Sequence, residues 1–155
     1  MRKMIGLLLA LALLFDPSAW AGVGSKKTMY VGGTIASIKA GAQGTSSTLD
    51  EKVFVFESKN GRLVVPYEKI NDLEYGQKAG RRLGLAIFVS PFFLLSHKKK
   101  HFLTIGFTDE KDAQQAAVFE LGKDIVRVTL ASIEARTGKK VDYQDEEARK
   151  SGLGG

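Results

Sequence analysis

The sequence predicts an α+β domain in which an antiparallel sheet or partly open barrel is closed by a C-terminal amphipathic helix. Two pairs of short β-branched and aromatic runs, each joined by a polar turn, predict the sheet, and an apolar stripe at helical spacing predicts the helix. The 155 residues are 44% hydrophobic and 26% charged. This balance is typical of one folded domain and excludes a disordered chain or a multi-domain enzyme.

The first predicted hairpin joins the runs 53–56 and 63–65. Asn60 and Gly61 lie between these runs, and the dipeptide favours a tight turn because both residues tolerate positive φ. Two further segments precede this hairpin: a first strand over 28–38 with a bend at its two glycines, and a Gly-, Ser- and Thr-rich loop over 40–48.

The second predicted hairpin joins 102–107 and 116–121 through the polar turn 109–112. A short strand over 70–75 is predicted before it. Pro66 either ends the strand that precedes it or places that strand at an edge of the sheet. Alternation along the first strand of the second hairpin places three apolar side chains on one face: Leu103, Ile105 and Phe107.

The last regular element is predicted as a helix over 123–137 that covers one face of the sheet. Gly138 supplies its C-terminal stop. The segment 139–155, which from Asp142 onward is acidic, then basic, then glycine-rich, is predicted to be a flexible tail. The apolar face of the helix consists of Val126, Thr129, Leu130, Ile133 and Thr137.

Residues 1–21 have the three-part pattern of a secretory signal peptide. Arg2–Lys3 form a basic start, residues 4–15 are almost purely apolar, and small residues precede the predicted cleavage site after Ala21. A polar lead-in over 22–27 follows. Because the chain has no cysteine, export favours a bacterial envelope or periplasm over a disulfide-rich eukaryotic secreted domain.

The stretch 63–75 combines a strand, the dipeptide Pro66-Tyr67 and the spacing Ile70-x-x-Leu73. This pattern resembles bacterial pleckstrin-homology-like and GRAM-like domains. The resemblance spans residues 28–138 and implies that the second hairpin belongs to a second sheet, with the closing helix plugging the barrel. Headgroup-binding relatives have a basic first hairpin loop, whereas the loop over 40–48 is uncharged, so the resemblance does not imply inositol phosphate recognition.

An apolar insertion over 79–96 interrupts the predicted domain. Its residues 83–95 are nearly all apolar, and as a straight helix they would reach only about 20 Å, short of the roughly 30 Å hydrocarbon core of a bilayer. Pro91 interrupts helical hydrogen bonding, and basic clusters lie on both sides, whereas a spanning segment has its excess of Lys and Arg on one side. The pattern therefore predicts an interfacial or re-entrant segment.

We expect this insertion to associate with an anionic membrane surface, with its cations at the headgroups and its apolar side chains in the acyl layer. The alternative is a segment buried in the core or in a contact with an envelope protein or a second copy, which would make the chain a scaffold or assembly module. The predicted headgroup contacts are Lys78, Arg81, Arg82, Lys98, Lys99 and Lys100. The predicted apolar contacts are Leu83, Leu85, Ile87, Phe88, Phe92, Phe93, Leu94 and Leu95.

No sequence pattern predicts catalysis, a cofactor or a metal, and we expect the chain not to be an enzyme. Neither a nucleophile elbow nor a phosphate-binding glycine motif occurs. His97 and His101 have i, i+4 spacing, but the three lysines between them would repel a cation. The acidic turn 109–112 lacks a closing calcium ligand. The net charge of +6 is modest and export separates the chain from nucleic acid, so we expect the polyanion to be anionic lipid or an envelope polymer.

Overall fold

The computed structural model describes residues 26–79, 88–89 and 100–154. These residues form one mixed sheet and two helices, which confirms the predicted α+β class with a partly open sheet. The strands are β1 (Lys26–Gly33), β2 (Ala42–Ser47), β3 (Val53–Ser58), β4 (Gly61–Pro66), β5 (Ile70–Gly76), β6 (Phe88–Val89), β7 (Phe102–Thr108), β8 (Gln114–Leu121) and β9 (Asp142–Tyr143). The helices are α1 (Val126–Thr137) and α2 (Glu146–Leu153), and a 3-10 turn covers Tyr67–Lys69.

The strands follow the order β4-β3-β2-β1-β8-β7-β5-β9, and β6 pairs with β1 beside this path. All neighbouring pairs are antiparallel except β5 and β9, which run parallel. The path therefore contains two antiparallel groups, one of β1 to β4 and one of β5, β7 and β8, which meet where β1 pairs with β8.

The main core lies on the face of the sheet that α1 covers. Phe119 is its centre, with ring centroids 5.2 Å from Phe56, 5.5 Å from Phe54 and 5.9 Å from Tyr30. Offset and edge-on contacts of this kind add to the free energy gained by burying apolar area. The helix contributes four buried residues, as the apolar stripe predicts: Val126, Thr129, Leu130 and Ile133.

The first hairpin is confirmed, but its turn is one residue away from the predicted position. Ser58 pairs with Gly61, so Lys59 and Asn60 are the two turn residues. Neither Asn60 nor Gly61 has the positive φ on which the prediction rested. Gly61 instead allows a close approach, because a Cβ at that position would lie 3.2 Å from Cγ1 of Ile38.

The segment 40–48 is not the loop that the sequence predicts, because β2 occupies most of it. Its backbone is paired on both sides, with β1 and with β3. Gly44 allows close pairing, since a Cβ there would lie 2.0 Å from the carbonyl oxygen of Glu57. Ser46 Oγ lies 2.7 Å from Thr28 Oγ1 within the buried interior. Two neighbouring strands thus override the weak strand propensity of Gly, Ser and Thr.

The first strand is displaced relative to its predicted range of 28–38. It begins at Lys26, inside the expected lead-in 22–27, and ends at Gly33, whose φ is +142°. Thr34 then donates its backbone N–H to the carbonyl of Ala116 at 2.9 Å, which turns the chain out of the strand. Only glycine adopts the backbone conformation of Gly33 readily.

The second hairpin agrees with its prediction, and the closing helix ends at Thr137 as predicted but begins at Val126, three residues after its predicted start. β7 and β8 pair from Phe102 opposite Glu120 to Thr108 opposite Gln114. In the intervening turn, Asp109 Oδ1 accepts hydrogen bonds from two backbone N–H groups. Gly138 ends α1 with a left-handed φ of +69°. The predicted apolar face of β7 contributes to the main core: Leu103, Ile105 and Phe107.

The predicted flexible tail over 139–155 is corrected for its described residues, because β9 and α2 are regular elements packed on the domain. Asp145 caps α2 by accepting a hydrogen bond from the N–H of Ala148 at 2.7 Å. Ala148 is fully buried, and Gly152 is so close to Tyr143 that a Cβ would lie 2.7 Å from its ring. The small residues Ala148 and Gly152 let this polar helix pack closely on the domain. The composition of the segment alone does not predict this packing.

The predicted signal peptide 1–21 lies outside the described residues. Within the described ranges, neither helix combines the length and the apolar character that crossing a membrane requires.

Candidate interaction site at the base of the apolar insertion

The chain leaves the sheet for the apolar insertion, and returns from it, at one place. Gly76 at the end of β5 is paired with Phe102 at the start of β7. Neighbouring strands are about 4.8 Å apart, so the connection over 77–101 starts and finishes at the same edge of the sheet. Lys78 and Lys100, one from each predicted basic flank, lie within two residues of this pair.

The side chain of Gln144 holds the outgoing flank. Its Oε1 accepts the backbone N–H of Lys78 at 3.1 Å, and its Nε2 donates both to the carbonyl of Lys78 and to Glu74 Oε1. The amide lies directly over Gly76, where a Cβ would be 2.0 Å from Oε1. The backbone of Lys78 is therefore fixed, while its side chain is exposed.

The returning flank is held by an ion pair. Lys100 Nζ lies 2.9 Å from Glu120 Oε2, with 18% and 25% of the two side chains exposed. Glu120 is opposite Phe102 in the β7–β8 ladder and opposite Met29 in the β1–β8 ladder. Partial burial strengthens such a pair relative to a fully solvated one. The side chain of Lys100 is therefore tied to β8 by this ion pair.

His101 adds a polar link between this edge and the C-terminal helix. Its Nδ1 lies 2.6 Å from Tyr75 Oη, which in turn lies 3.3 Å from Ser151 Oγ in α2. Burial lowers the pKa of His101, and the nearby Lys123 lowers it further, while Glu120 raises it. The imidazole is consequently held in its neutral form more strongly than a solvated histidine.

A second buried cluster lies on the face of the sheet opposite the main core. Val31, Phe102 and Val118 are at most 3% exposed, and Ala79 packs against them. Successive residues of a strand point to opposite faces, so Phe102 lies outside while Leu103 lies in the main core. β6 pairs with the last two residues of β1, the strand that contributes Val31 to this cluster.

The structure therefore brings together the two ends of the predicted site, Lys78 and Lys100, and places the backbone of Phe88 elsewhere, paired with β1. The remaining predicted contacts lie outside the described residues: Arg81, Arg82, Leu83, Leu85, Ile87, Phe92, Phe93, Leu94, Leu95, Lys98 and Lys99. Sequence reasoning missed Gln144, Glu120 and Tyr75. Gly76, which ends a strand pattern, is the one local sign of a close contact there.

Two of the concave regions among the described residues lie away from this edge. A groove of about 480 Å³ runs between β4 and the β7–β8 turn. The polar side chains at its rim are hydrogen-bonded to one another: Thr34 Oγ1 donates to Gln115 Oε1, and Gln115 Nε2 donates to Asp109 Oδ2 at 2.8 Å. The second region is a cavity of about 520 Å³ between the β2–β3 loop and α1.

No three His, Cys, Asp or Glu side chains in the described ranges lie close enough together to hold a metal ion. Comparison of the chain with protein-family models, with curated proteins and with solved structures finds no match.

Proposed function

We propose that the chain is an exported, non-enzymatic domain of the pleckstrin-homology-like class that associates with an anionic membrane surface through the apolar insertion and its basic flanks. The pairing of Gly76 with Phe102 carries this proposal, since it makes both flanks start at one edge of the sheet. Cations that leave the sheet together concentrate positive potential over a small area, which an anionic surface attracts.

The strand order supports the pleckstrin-homology-like part of the proposal. β4-β3-β2-β1 and β8-β7-β5 are two antiparallel groups joined at β1 and β8. α1 follows the second group and contributes Val126, Leu130 and Ile133 to the main core. A second group of strands and a closing helix are what the resemblance at residues 63–75 implies.

The charges of the flanks are sufficient for a measurable effect. Each Lys or Arg near an anionic surface contributes about 1 kcal/mol, and added salt screens this attraction. For Lys100, a headgroup phosphate has to compete with Glu120. We therefore expect Lys78, whose side chain is exposed, to contribute more than Lys100.

Co-sedimentation with vesicles tests the proposal. Residues 22–155 are incubated with phosphatidylcholine vesicles or with vesicles that also contain phosphatidylglycerol, at low and at high salt. Omitting residues 1–21 keeps their apolar run from contributing. We expect binding that requires the anionic lipid and weakens with salt, and a residual fraction bound at high salt would indicate buried apolar side chains. If the folded protein binds neither type of vesicle, or binds both types equally, the proposal is wrong.

A matched pair of variants locates the binding. Lys98→Glu/Lys99→Glu reverses two charges of the returning flank and leaves the Lys100–Glu120 ion pair intact. Lys139→Glu/Lys140→Glu makes the same change in net charge at two exposed residues after α1. We expect the first variant to lose roughly tenfold or more in partitioning and the second to lose little. Equal losses would show that only net charge matters.

A second candidate function is protein assembly through the same insertion. The observation behind it is the pairing of Phe88 and Val89 with Gly33 and Gly32, because this part of the insertion forms strand pairs with protein backbone, here that of its own chain. In this case, sedimentation velocity shows a concentration-dependent dimer or larger assembly. The Lys98→Glu/Lys99→Glu variant then leaves that assembly in place, since an apolar interface depends little on these charges.

A further inference from the structure

The face of the sheet opposite the main core, called the outer face below, is exposed in one group of strands and buried in the other. Over β2, β3 and β4 its side chains include Gln43, Glu57 and Arg62, which are exposed. Over β5, β7 and β8, three residues lie opposite one another and share this face, and at most 2% of each is exposed: Glu74, Thr104 and Val118. Part of the chain therefore covers the outer face of the second group.

The connection between β5 and β7 has to pass three strands twice. Gly32 and Gly33 pair with β8 along one edge of β1, and with Val89 and Phe88 along the other edge. β6 therefore lies beyond β1, in the order β5-β7-β8-β1-β6. Four spacings of about 4.8 Å separate β5 from β6, which is about 19 Å. The chain passes β7, β8 and β1 on its way from β5 to β6, and passes them again before β7 begins.

Two described residues at the ends of the insertion lie on the outer face. Ala79, on the outgoing side, packs against the second buried cluster, to which Val118 belongs. Lys100, on the returning side, makes its ion pair with Glu120, which is two residues from Val118 on the same strand and so shares its face. The opposite face of the sheet is filled by the main core under α1. Both passages therefore begin or end on the outer face.

The residues of the outgoing passage have the length and composition to cover this face. Nine residue steps separate Ala79 from Phe88 and reach about 30 Å when extended, which exceeds the distance of about 19 Å. Three large apolar residues alternate with small ones, as in a segment with one apolar face: Leu83, Leu85 and Ile87. The segment 1–25 fits less well, because the predicted cleavage leaves only residues 22–25, directly before β1.

We propose that the outer face of β5, β7, β8 and β1 is an internal docking surface whose occupant is the apolar insertion of the same chain. Residues 80–87 cross this face outward and residues 90–99 cross it on the return, with apolar side chains over the second buried cluster. Burial of apolar area drives the docking. Glu74 adds charge complementarity, because a buried carboxylate is stabilised by a nearby cation and Arg81 and Arg82 closely follow Ala79.

This docking concerns the protein without lipid and does not rest on the proposed membrane function. If the insertion also enters a membrane, the lipid has to compete with the sheet for the same apolar side chains. A docked insertion in a protein that binds no vesicles supports the docking and contradicts the membrane function. Vesicle binding by a protein whose insertion is undocked without lipid has the opposite meaning.

Methyl NMR in the absence of lipid tests the docking on the unmodified protein. Nuclear Overhauser effects are measured from the methyl groups of Val31 and Val118, in a mixture of labelled and unlabelled chains that separates contacts within a chain from contacts between chains. We expect contacts within the chain to side chains of residues 83–95. Contacts only between chains assign the face to a second copy, contacts only with residues 22–25 assign it to the lead-in, and either result overturns the proposal. The absence of any contact with 83–95 also overturns it.

A matched pair of double variants tests the same surface through stability. Leu85→Ser/Ile87→Ser replaces two apolar residues of the insertion, and Leu49→Ser/Val128→Ser makes similar changes at residues that are 61% and 62% exposed. In urea unfolding without lipid, we expect the first variant to lower the midpoint by about 1 M or more and the second by less than about 0.3 M. An unchanged midpoint in the first variant, or equal losses in both, contradicts the docking. The NMR measurement decides the question if the first variant does not fold.

Discussion

Tyr75 Oη lies 2.6 Å from His101 Nδ1, and the two rings are nearly parallel with centroids 6.2 Å apart. The same hydroxyl lies 3.3 Å from Ser151 Oγ, and Tyr143 packs edge-on against the Tyr75 ring. One buried tyrosine thus connects β5, the start of β7 and the C-terminal helix. The returning basic flank and the C-terminal segment are coupled through this residue.

The lowered pKa of His101 predicts a pH-dependent stability. Unfolding returns the imidazole to its ordinary pKa of about 6.5, so below that pH the unfolded chain binds a proton that the folded chain resists. The free energy of unfolding is therefore complete above about pH 6.5 and decreases as the pH falls below it. Urea unfolding between pH 7.5 and 5 measures this decrease.

Two histidine variants attribute the effect. His101→Asn keeps a polar group near Tyr75 Oη but removes the titration, so we expect its stability to change little between pH 7.5 and 5. His97→Asn removes the other histidine of the sequence and should retain the pH dependence. If the pH dependence of stability disappeared in His97→Asn and persisted in His101→Asn, it would belong to His97, and the prediction for His101 would be wrong.

Gly33→Ala should be among the most destabilising single substitutions in the sheet. The φ of Gly33 is +142°, and a Cβ at this position would lie 2.2 Å from the carbonyl oxygen of Ala116. Backbone strain and a main-chain clash together should cost more than about 3 kcal/mol. Gly138→Ala is the control, because its φ is +69° and the space around its Cβ is open, so only about 1 kcal/mol is expected. Thermal and urea unfolding of both variants measure the difference.

A charge introduced into α2 tests whether the C-terminal segment is part of the domain. Ala148 is fully buried, so Ala148→Asp places a carboxylate in an apolar site and should cost about 3 kcal/mol or more. Ala131→Asp makes the same change at an exposed position of α1 and should cost much less. If residues 139–155 were a flexible tail, the two variants would unfold at similar urea concentrations.

Gln144→Ala should loosen the base of the apolar insertion. The variant removes two hydrogen bonds to the backbone of Lys78 and one to Glu74, which is 2% exposed, so a loss of about 2 kcal/mol is expected. Hydrogen exchange of the Lys78 amide should also become faster. Gln114→Ala, which removes exposed side-chain bonds to Asn71, should change stability by less than about 0.5 kcal/mol. Unchanged exchange at Lys78 would argue against the role of Gln144.

The sequence by itself determined those parts of the fold that depend on local pattern. Alternation and helical spacing predict β7, β8 and α1, and Gly138 marks the end of the helix because a left-handed φ is a local property of glycine. The two basic flanks around the apolar insertion are also visible in the sequence, since charge and hydropathy need no coordinates.

Tertiary structure alone decided the elements whose own propensity is weak. β2 is a strand because β1 and β3 pair with both of its edges, and α2 is packed because Ala148 and Gly152 fit against the sheet. The polar contacts of the candidate site also join distant parts of the chain, such as Gln144 with Lys78 and Lys100 with Glu120. Such contacts follow from the folded arrangement of strands and helices, and no periodicity within a single segment encodes them.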